Sequence, residues 1–301
     1  MSKSKPHLKL NDGIEMPVLG LGVYLSPSDL TASAVRSAIE SGYQLIDTAA
    51  AYGNEQQVGD GIATSGAKRD QLFVTTKLWI ADHGYEQALR SFDASMAKLR
   101  LDYLDLYLVH WPTPSAWDAT VAAWRALEKL LADGRVRAIG VCNFTEKHLQ
   151  ALAATSNVVP AVNQIELHPL FNQASLRAAN ARLGIITQAW SPIGGTLTNH
   201  PRDPNNVTRL LDHPALARLA EKLGRSPAQV VLRWQIQNGV SAIPKSVHPE
   251  RIAANIAIFD FELSAEDMAV INALDTGRRN GPDPDQFDMP FLKARQAAAK
   301  K

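Results

Sequence analysis

A single-domain α/β fold, a closed parallel (β/α)8 TIM barrel spanning 1–301 with an N-terminal β-hairpin and extra helices near the C-terminus, is predicted by three observations. Apolar runs of strand length alternate with amphipathic stretches of helix length along nearly the whole chain. Seven of these runs begin at residues 18, 43, 73, 103, 136, 161 and 185, about 24 to 33 residues apart, and an eighth begins at 240, the repeat that eight strand-helix units produce. The competing open, doubly wound sheet needs three glycines after its first strand, and Gly20-Leu-Gly22-Val-Tyr-Leu25 supplies only two.

The elements follow in order. Leu8-Lys-Leu10, the turn Asn11-Asp12-Gly13 and Ile14-Glu-Met16 alternate apolar and polar residues around a turn that tolerates positive φ, the pattern of a short hairpin placed to plug one end of a larger body. Strands are expected over 18–21, 43–47, 73–77, 103–110, 136–142, 161–166, 185–190 and 240–244. Helices are expected over 28–41, 54–65, 85–99, 117–133, 146–154 and 173–183, as a pair over 214–237, and then over 249–258 and 265–273. Gly42, Gly134 and Gly184 follow helices as C-terminal stops, and Pro249 sits at a helix start. Between Ser191 and Pro214 the repeat breaks at Gly194-Gly195, Pro201, Pro204 and Asn205-Asn206, which predicts a long mobile loop on the functional face.

Composition narrows the function classes. The 301 residues are 46% hydrophobic and 20% charged, as in ordinary globular proteins. Lys plus Arg number 31 against 30 Asp plus Glu, so the net charge of +1 gives no field that would draw the chain to nucleic acid or to an anionic membrane. One cysteine, Cys142, permits neither an internal disulfide nor a cysteine cluster for a metal, and no metal site is expected. The opening MSKSKPHLKL has no apolar signal core, and no run of about 18 apolar residues occurs, so a soluble, cytoplasmic protein, monomeric and without membrane or nucleic-acid partners, is expected. There is no P-loop, no His-Glu-x-x-His pair and no Gly-x-Ser-x-Gly elbow, the usual marks of phosphoryl transfer, metallohydrolysis and serine hydrolysis.

In a barrel of this kind chemistry gathers where strands end and βα loops begin. Residues 42–55 read GYQLIDTAAAYGNE, an apolar strand closed by Asp47, a narrow alanine loop, and Tyr52 before a helix opening at Asn54. Alone, Asp47 reads as a turn cap and Tyr52 as a packed ring. The third strand, however, ends at Lys77 and the fourth at His110, so three consecutive units bring four ionisable groups to one mouth. These groups suit carbonyl reduction. Tyr52 would donate the proton, Lys77 would lower the phenol's pKa, Asp47 would hold Lys77 charged and aimed, and His110 would hydrogen-bond the substrate oxygen. The hydride has to come from a cofactor, because no side chain provides one. A barrel hydrolase would need two carboxylates flanking one bond, and only Asp47 is placed in the mouth.

The motifs Leu45-Ile-Asp-Thr-Ala-Ala-Ala-Tyr-Gly-Asn-Glu55, Thr76-Lys77-Leu-Trp79, Leu104-Asp-Leu-Tyr-Leu-Val-His-Trp-Pro112, Gly140-Val-Cys-Asn-Phe144, Asn163-Gln-Ile-Glu-Leu-His-Pro169 and Ile243-Pro-Lys-Ser246 together resemble the aldo-keto reductase family over nearly the whole chain. The resemblance implies a (β/α)8 barrel that binds NADPH in an extended form, with Asp47, Tyr52, Lys77 and His110 at the positions of the catalytic tetrad and Tyr52 as general acid. It also implies that Asn143 and Gln164 bind the nicotinamide carboxamide and that Trp190, where many relatives have Tyr, stacks on the ring. Gly22, Val23, Asp47 and Ser191 match further cofactor positions, and Cys142 stands where a serine is common.

Lys245-Ser246-Val247-His-Pro-Glu-Arg251-Ile-Ala-Ala-Asn255 resembles the family's segment for the adenosine 2′-phosphate. A strand-end lysine, a Ser able to cap a helix near Pro249 and an Arg in its first turn agree with that role and predict NADPH over NADH. Tyr24, Trp79 and Trp111 lie just beyond the first, third and fourth strands and, with His110, would line the cleft for a small carbonyl substrate. The tail from Thr276 to Phe287, expected over the mouth, is similar to that of bacterial 2,5-diketo-D-gluconate reductases, which implies sugar-derived keto acids among the substrates. The alternative function is a nicotinamide-binding redox sensor subunit with little turnover, against which the complete tetrad speaks.

Overall fold

The computed structural model describes residues 6–194, 210–277 and 279–291. Most of the loop expected between Ser191 and Pro214, residues 195–209, lies outside the described residues, as do the first five residues and the end of the tail.

The chain opens with β1 (His7–Lys9) and β2 (Glu15–Pro17), which pair antiparallel with Leu8 opposite Met16. Eight parallel strands follow: β3 (Gly20–Gly22), β4 (Leu45–Asp47), β5 (Phe73–Leu78), β6 (Leu104–Val109), β7 (Val136–Cys142), β8 (Val162–Glu166), β9 (Ile186–Trp190) and β10 (Ser241–Ala242). Each pairs with the next, and parallel bridges Leu19–Ala242 and Gly22–Lys245 join the last to the first, so the sheet closes into a barrel. Only β7 keeps both expected bounds; the other strands shift by one or two residues at an end, and the first and last barrel strands differ most. Val18 and Leu19 precede β3 rather than belong to it, and β10 stops at Ala242 because Pro244, two residues on, has no N–H to continue a ladder.

Outside the barrel lie α1 (Ser28–Glu40), α2 (Glu55–Thr64), α3 (Tyr85–Leu99), α4 (Trp117–Ala132), α5 (Glu146–Ala153), α6 (Ala174–Arg182), α7 (Pro214–Leu223), α8 (Pro227–Gln237), α9 (Pro249–Ile256) and α10 (Ala265–Asn272). Their starts carry local signals. Ser226 and Ser264 cap α8 and α10 in reciprocal boxes with Gln229 and Asp267, which satisfies amide groups that a helix end leaves orphaned. Gly42 and Gly134 take φ of +90° and +69° just past α1 and α4, where a side chain would be strained.

Two apolar layers follow from the strand alternation. One lies between strands and helices and includes Val35, Ile46, Val74, Phe92, Tyr107, Trp124 and Trp234. The other fills the barrel itself and joins Leu45, Phe73, Leu106 and Val162 with Leu10 and Met16 of the hairpin. Since those strand residues lie near strand starts, the hairpin seals the bottom of the barrel, as its sequence predicts. Burying Leu10 and Met16 there contributes about 1.5–3 kcal/mol each. The opposite end, where the strands stop, is left for chemistry.

Candidate active site

Strand register brings the expected groups to that end. Gly22 stands opposite Asp47, and Lys77 lies one residue before the end of β5, opposite Leu108 of β6. His110 follows β6 directly and is tied to β5 by its N–H to the Leu78 carbonyl. Tyr52 is delivered by a 3-10 turn, Ala50–Tyr52, that ends at Gly53 with φ +69°. Asn54 holds this turn against the barrel, accepting from the Thr48 hydroxyl at 2.9 Å and donating to the Val23 carbonyl at 2.9 Å. Asn54 is expected only as the opening of a helix; its side chain makes no cap bond to α2 and serves this turn instead.

At the centre, the three N–H donors of Lys77 are all engaged. Its Nζ donates to Asp47 Oδ1 at 2.6 Å, to the Thr48 carbonyl at 2.8 Å and to the Tyr52 hydroxyl at 3.3 Å. Both Lys77 and Asp47 are fully buried, so their mutual attraction is little screened by water. Gln164 donates to the other Asp47 oxygen at 2.8 Å and to Gln188 Oε1 at 2.7 Å, so the carboxylate is held on both sides. Burial pushes the Asp47 carboxyl up, opposed by the Lys77 charge and by hydrogen bonds from Lys77 and Gln164.

The phenol departs from expectation. Burial first, and then the Asp47 carboxylate, push the Tyr52 hydroxyl well above its ordinary value rather than below it. The group therefore stays protonated, and Lys77 acts as a donor ready to stabilise negative charge on the oxygen when it forms. Burial, with Lys77 as the next cause, pushes His110 well below its ordinary value. A neutral imidazole is thus set against the Tyr52 ring at 5.7 Å and the Trp79 indole at 5.2 Å, able to donate one hydrogen bond without carrying charge.

The residues expected to meet a nicotinamide form the adjoining rim. Asn143, in a left-handed conformation, donates to the His110 carbonyl at 3.0 Å and accepts the Trp190 indole N–H at 2.9 Å. Ser191 is also left-handed. Cys142 is buried beneath them, its sulfur accepting from Asn143 at 3.1 Å, and burial pushes its thiol up. Gly22 and Val23 border this rim through the backbone. The Val23 side chain is buried, and its N–H and carbonyl are taken by the Asp47 carbonyl and Asn54, so it shapes the rim without a group to spare.

At the other end of the rim Lys245 and Arg251 are exposed cations, and among the described residues neither is paired with an acid; Glu250 lies 3.8 Å from His248 instead. Partial burial pulls the Lys245 ammonium down, a penalty that a bound anion would offset. His248, not Ser246, is the N-cap residue of α9; the Ser246 hydroxyl accepts the His248 N–H at 3.1 Å and so orders the turn before it. Val247 is half-buried, and Asn255 is buried on α9. Two cations without an acidic partner among the described residues, beside an ordered turn and a helix N-terminus, fit a phosphate; the amides of Asn143 and Gln164 lie beside the indole but are engaged with His110, Trp190, Asp47 and Gln188, so a carboxamide would have to take over some of those bonds.

Tyr24 is exposed and tilts over Tyr52 with ring centres 5.1 Å apart. Trp111 does not stand open as a bare wall. It is buried, and Phe287 of the tail stacks on it at 4.0 Å and meets Trp79 edge-on at 6.0 Å. A second carboxylate also lies at this end, Glu166 at the close of β8, with its oxygens taken by tail amides. The strand-end rule that selects Asp47, Lys77 and His110 selects Glu166 as well.

The aldo/keto reductase family model matches residues 20–276. The chain is 57% identical to morphine 6-dehydrogenase of Pseudomonas putida over 96% of this chain and 97% of that protein. It is 47% identical to glyoxal reductase of Bacillus subtilis over 94% of this chain and 98% of that one. Among solved structures, the Bombyx mori aldo-keto reductase in complex with NADP superposes with a TM-score of 0.87 at 37% identity, covering 95% of this chain and 99% of that one.

Proposed function

The chain belongs to the aldo/keto reductase family and is an oxidoreductase of that family, and from that premise we propose that it reduces small aldehydes and ketones to alcohols with NADPH, acting as a cytoplasmic monomer. The observation that carries the reading is Lys77 Nζ set between Asp47 Oδ1 and the Tyr52 hydroxyl at the barrel mouth. The cofactor, when bound, supplies hydride to the carbonyl carbon. Tyr52 gives its proton to the carbonyl oxygen, and the phenolate left behind is stabilised by Lys77, whose charge Asp47 maintains. His110, neutral, donates a hydrogen bond to the same oxygen and aims it at Tyr52. Asn143 and Gln164 would hold the nicotinamide amide, with Trp190 and Ser191 beside the ring and Gly22 and Val23 at its border. Lys245, Ser246, Val247, Arg251 and Asn255 would hold the adenosine end and its 2′-phosphate, with the two cations setting the preference over NADH.

The aromatic rings of Tyr24, Trp79 and Phe287, the last backed by the buried Trp111, surround a polar floor, which suits a compact carbon skeleton carrying one or two carbonyls. Small dicarbonyls are the substrate class proposed first, with sugar-derived keto acids such as 2,5-diketo-D-gluconate behind them. The test follows loss of NADPH absorbance with purified protein against methylglyoxal, an aromatic aldehyde, a pentose and a 2,5-diketo sugar acid, each repeated with NADH. Turnover with NADPH and far less with NADH is the expected result. Cofactor binding without turnover across the panel would instead make the protein a nicotinamide-binding sensor.

A further inference from the structure

Glu166 closes β8 and is fully buried, and the Lys77 ammonium spends its donors on Asp47, Thr48 and Tyr52 rather than on it. Its two oxygens accept the backbone N–H groups of consecutive tail residues, Asn280 at 2.6 Å and Gly281 at 2.9 Å. His168 Nε2 stands 3.1 Å from one of those oxygens and 2.9 Å from Asn280 Nδ2, which also donates to the Gly194 carbonyl at 3.2 Å. A buried carboxylate accepting two amides of one turn is a strong, directional tie, because both bonds are charge-assisted and the alternative leaves a charge without partners. What it ties lies between the two halves of the cleft. A Cβ on Gly281 would come within 2.5 Å of Trp190 Cη2, so the tail backbone seats directly on the outer edge of that indole. The other edge is held by the indole N–H to Asn143. Six residues on, Phe287 is stacked on Trp111.

We propose that Glu166 is a positioning residue that latches the tail across the mouth, so that one buried carboxylate sets both the orientation of the Trp190 indole, through Gly281, and the closure of the carbonyl cleft, through Phe287. This rests on reading Trp190 as the nicotinamide platform and the Trp79–Trp111 faces as the cleft wall. Glu166 touches neither ligand. Its effect therefore falls on the affinities for the carbonyl and for the cofactor whose ring the indole would carry, and Gly281 is required because any side chain would push the indole off its seat.

The test uses the full chain and two single substitutions. Glu166→Gln keeps shape but offers an NH2 where one tail amide needs an acceptor. Gly281→Ala keeps the carboxylate in the chain and attacks the seat instead, its Cβ falling 2.5 Å from Trp190 Cη2 and 3.1 Å from Glu166 Oε2. Trypsin cleavage between Arg279 and Asn280, followed as appearance of the 280–293 peptide because Lys293 is cut as well, reports the latch without any activity. Both variants are expected to release it at least about tenfold faster and to raise the KM for methylglyoxal about tenfold, with kcat within about twofold. The double variant should be no worse than the poorer single, as for two parts of one device.

Unchanged release in Glu166→Gln with an unaltered melting temperature overturns the latch. Faster release without a change in KM overturns its role in the cleft. If Glu166→Gln does not fold, Gly281→Ala decides by the same two measurements. Faster release in variants of a protein that reduces no carbonyl leaves the latch standing and removes the reductase reading, whereas unchanged release in variants of an active reductase does the reverse.

Discussion

Two buried aspartates sit at opposite ends of the barrel, and their surroundings separate a structural ion cluster from the one proposed to react. Asp105, at the start of β6, accepts from Arg69 and Arg137 at 2.7 Å each and from the Val74 N–H at 2.9 Å. Both guanidinium groups reach water, so the cluster ties the entrances of neighbouring strands and does nothing further. Asp47, at the close of β4, has a single cation, and that cation is fully buried and spends its last donor on a phenol. Burial of an acid-base pair does not mark a site by itself. The mark is a third partner that carries a transferable proton.

The largest expected effect breaks the comparison at the top. Tyr52→Phe removes the proton and should lower kcat by about 10²–10⁴-fold, with NADPH binding by fluorescence and the melting temperature close to wild type. Turnover near the wild-type rate would place the proton donor elsewhere. At the bottom, Asp105→Asn is expected to cost roughly 2–4 kcal/mol in urea unfolding, below the cost of breaking a wholly buried pair because both arginines can turn to water. Its kcat per folded molecule should be unchanged, and a collapse of kcat would erase the distinction between the two ends.

A smaller change sharpens the division between holding and reacting. Arg251→Ala should raise the KM for NADPH about tenfold and leave that for NADH nearly as it was. Equal effects on both cofactors would remove the 2′-phosphate from that segment. The smallest expected effect is none. His110 is held below its ordinary value and so is neutral throughout, and Tyr52 is held above its own and so stays protonated. The rate of reduction should then show no break at the ordinary histidine value, about 6.5, and none at the ordinary tyrosine value, about 10. A break near the ordinary histidine value would show that His110 titrates as if in water.

Much of this was legible without coordinates. The spacing of apolar runs carries the barrel, since a strand and a helix each impose a period on the residues that must be buried, and Asp47, Lys77 and His110 are visible as polar residues closing apolar strands. The hairpin's plugging role follows from Leu10 and Met16 in the same way. Glu166 obeyed the rule that found the others, yet its use did not show, because its partners Asn280 and Gly281 are 114 and 115 positions away.

Local pattern determined which residues stand at the ends of strands, because burial on one face is a property of neighbours in sequence. Tertiary structure alone decided how those ends are joined: Gln164 on Asp47 across 117 positions, the tail on Glu166, Phe287 on Trp111. It also reversed the expected direction for Tyr52, because the phenol's acidity depends on how much water reaches it as well as on the charge of Lys77, and exclusion of water is the work of the whole barrel mouth.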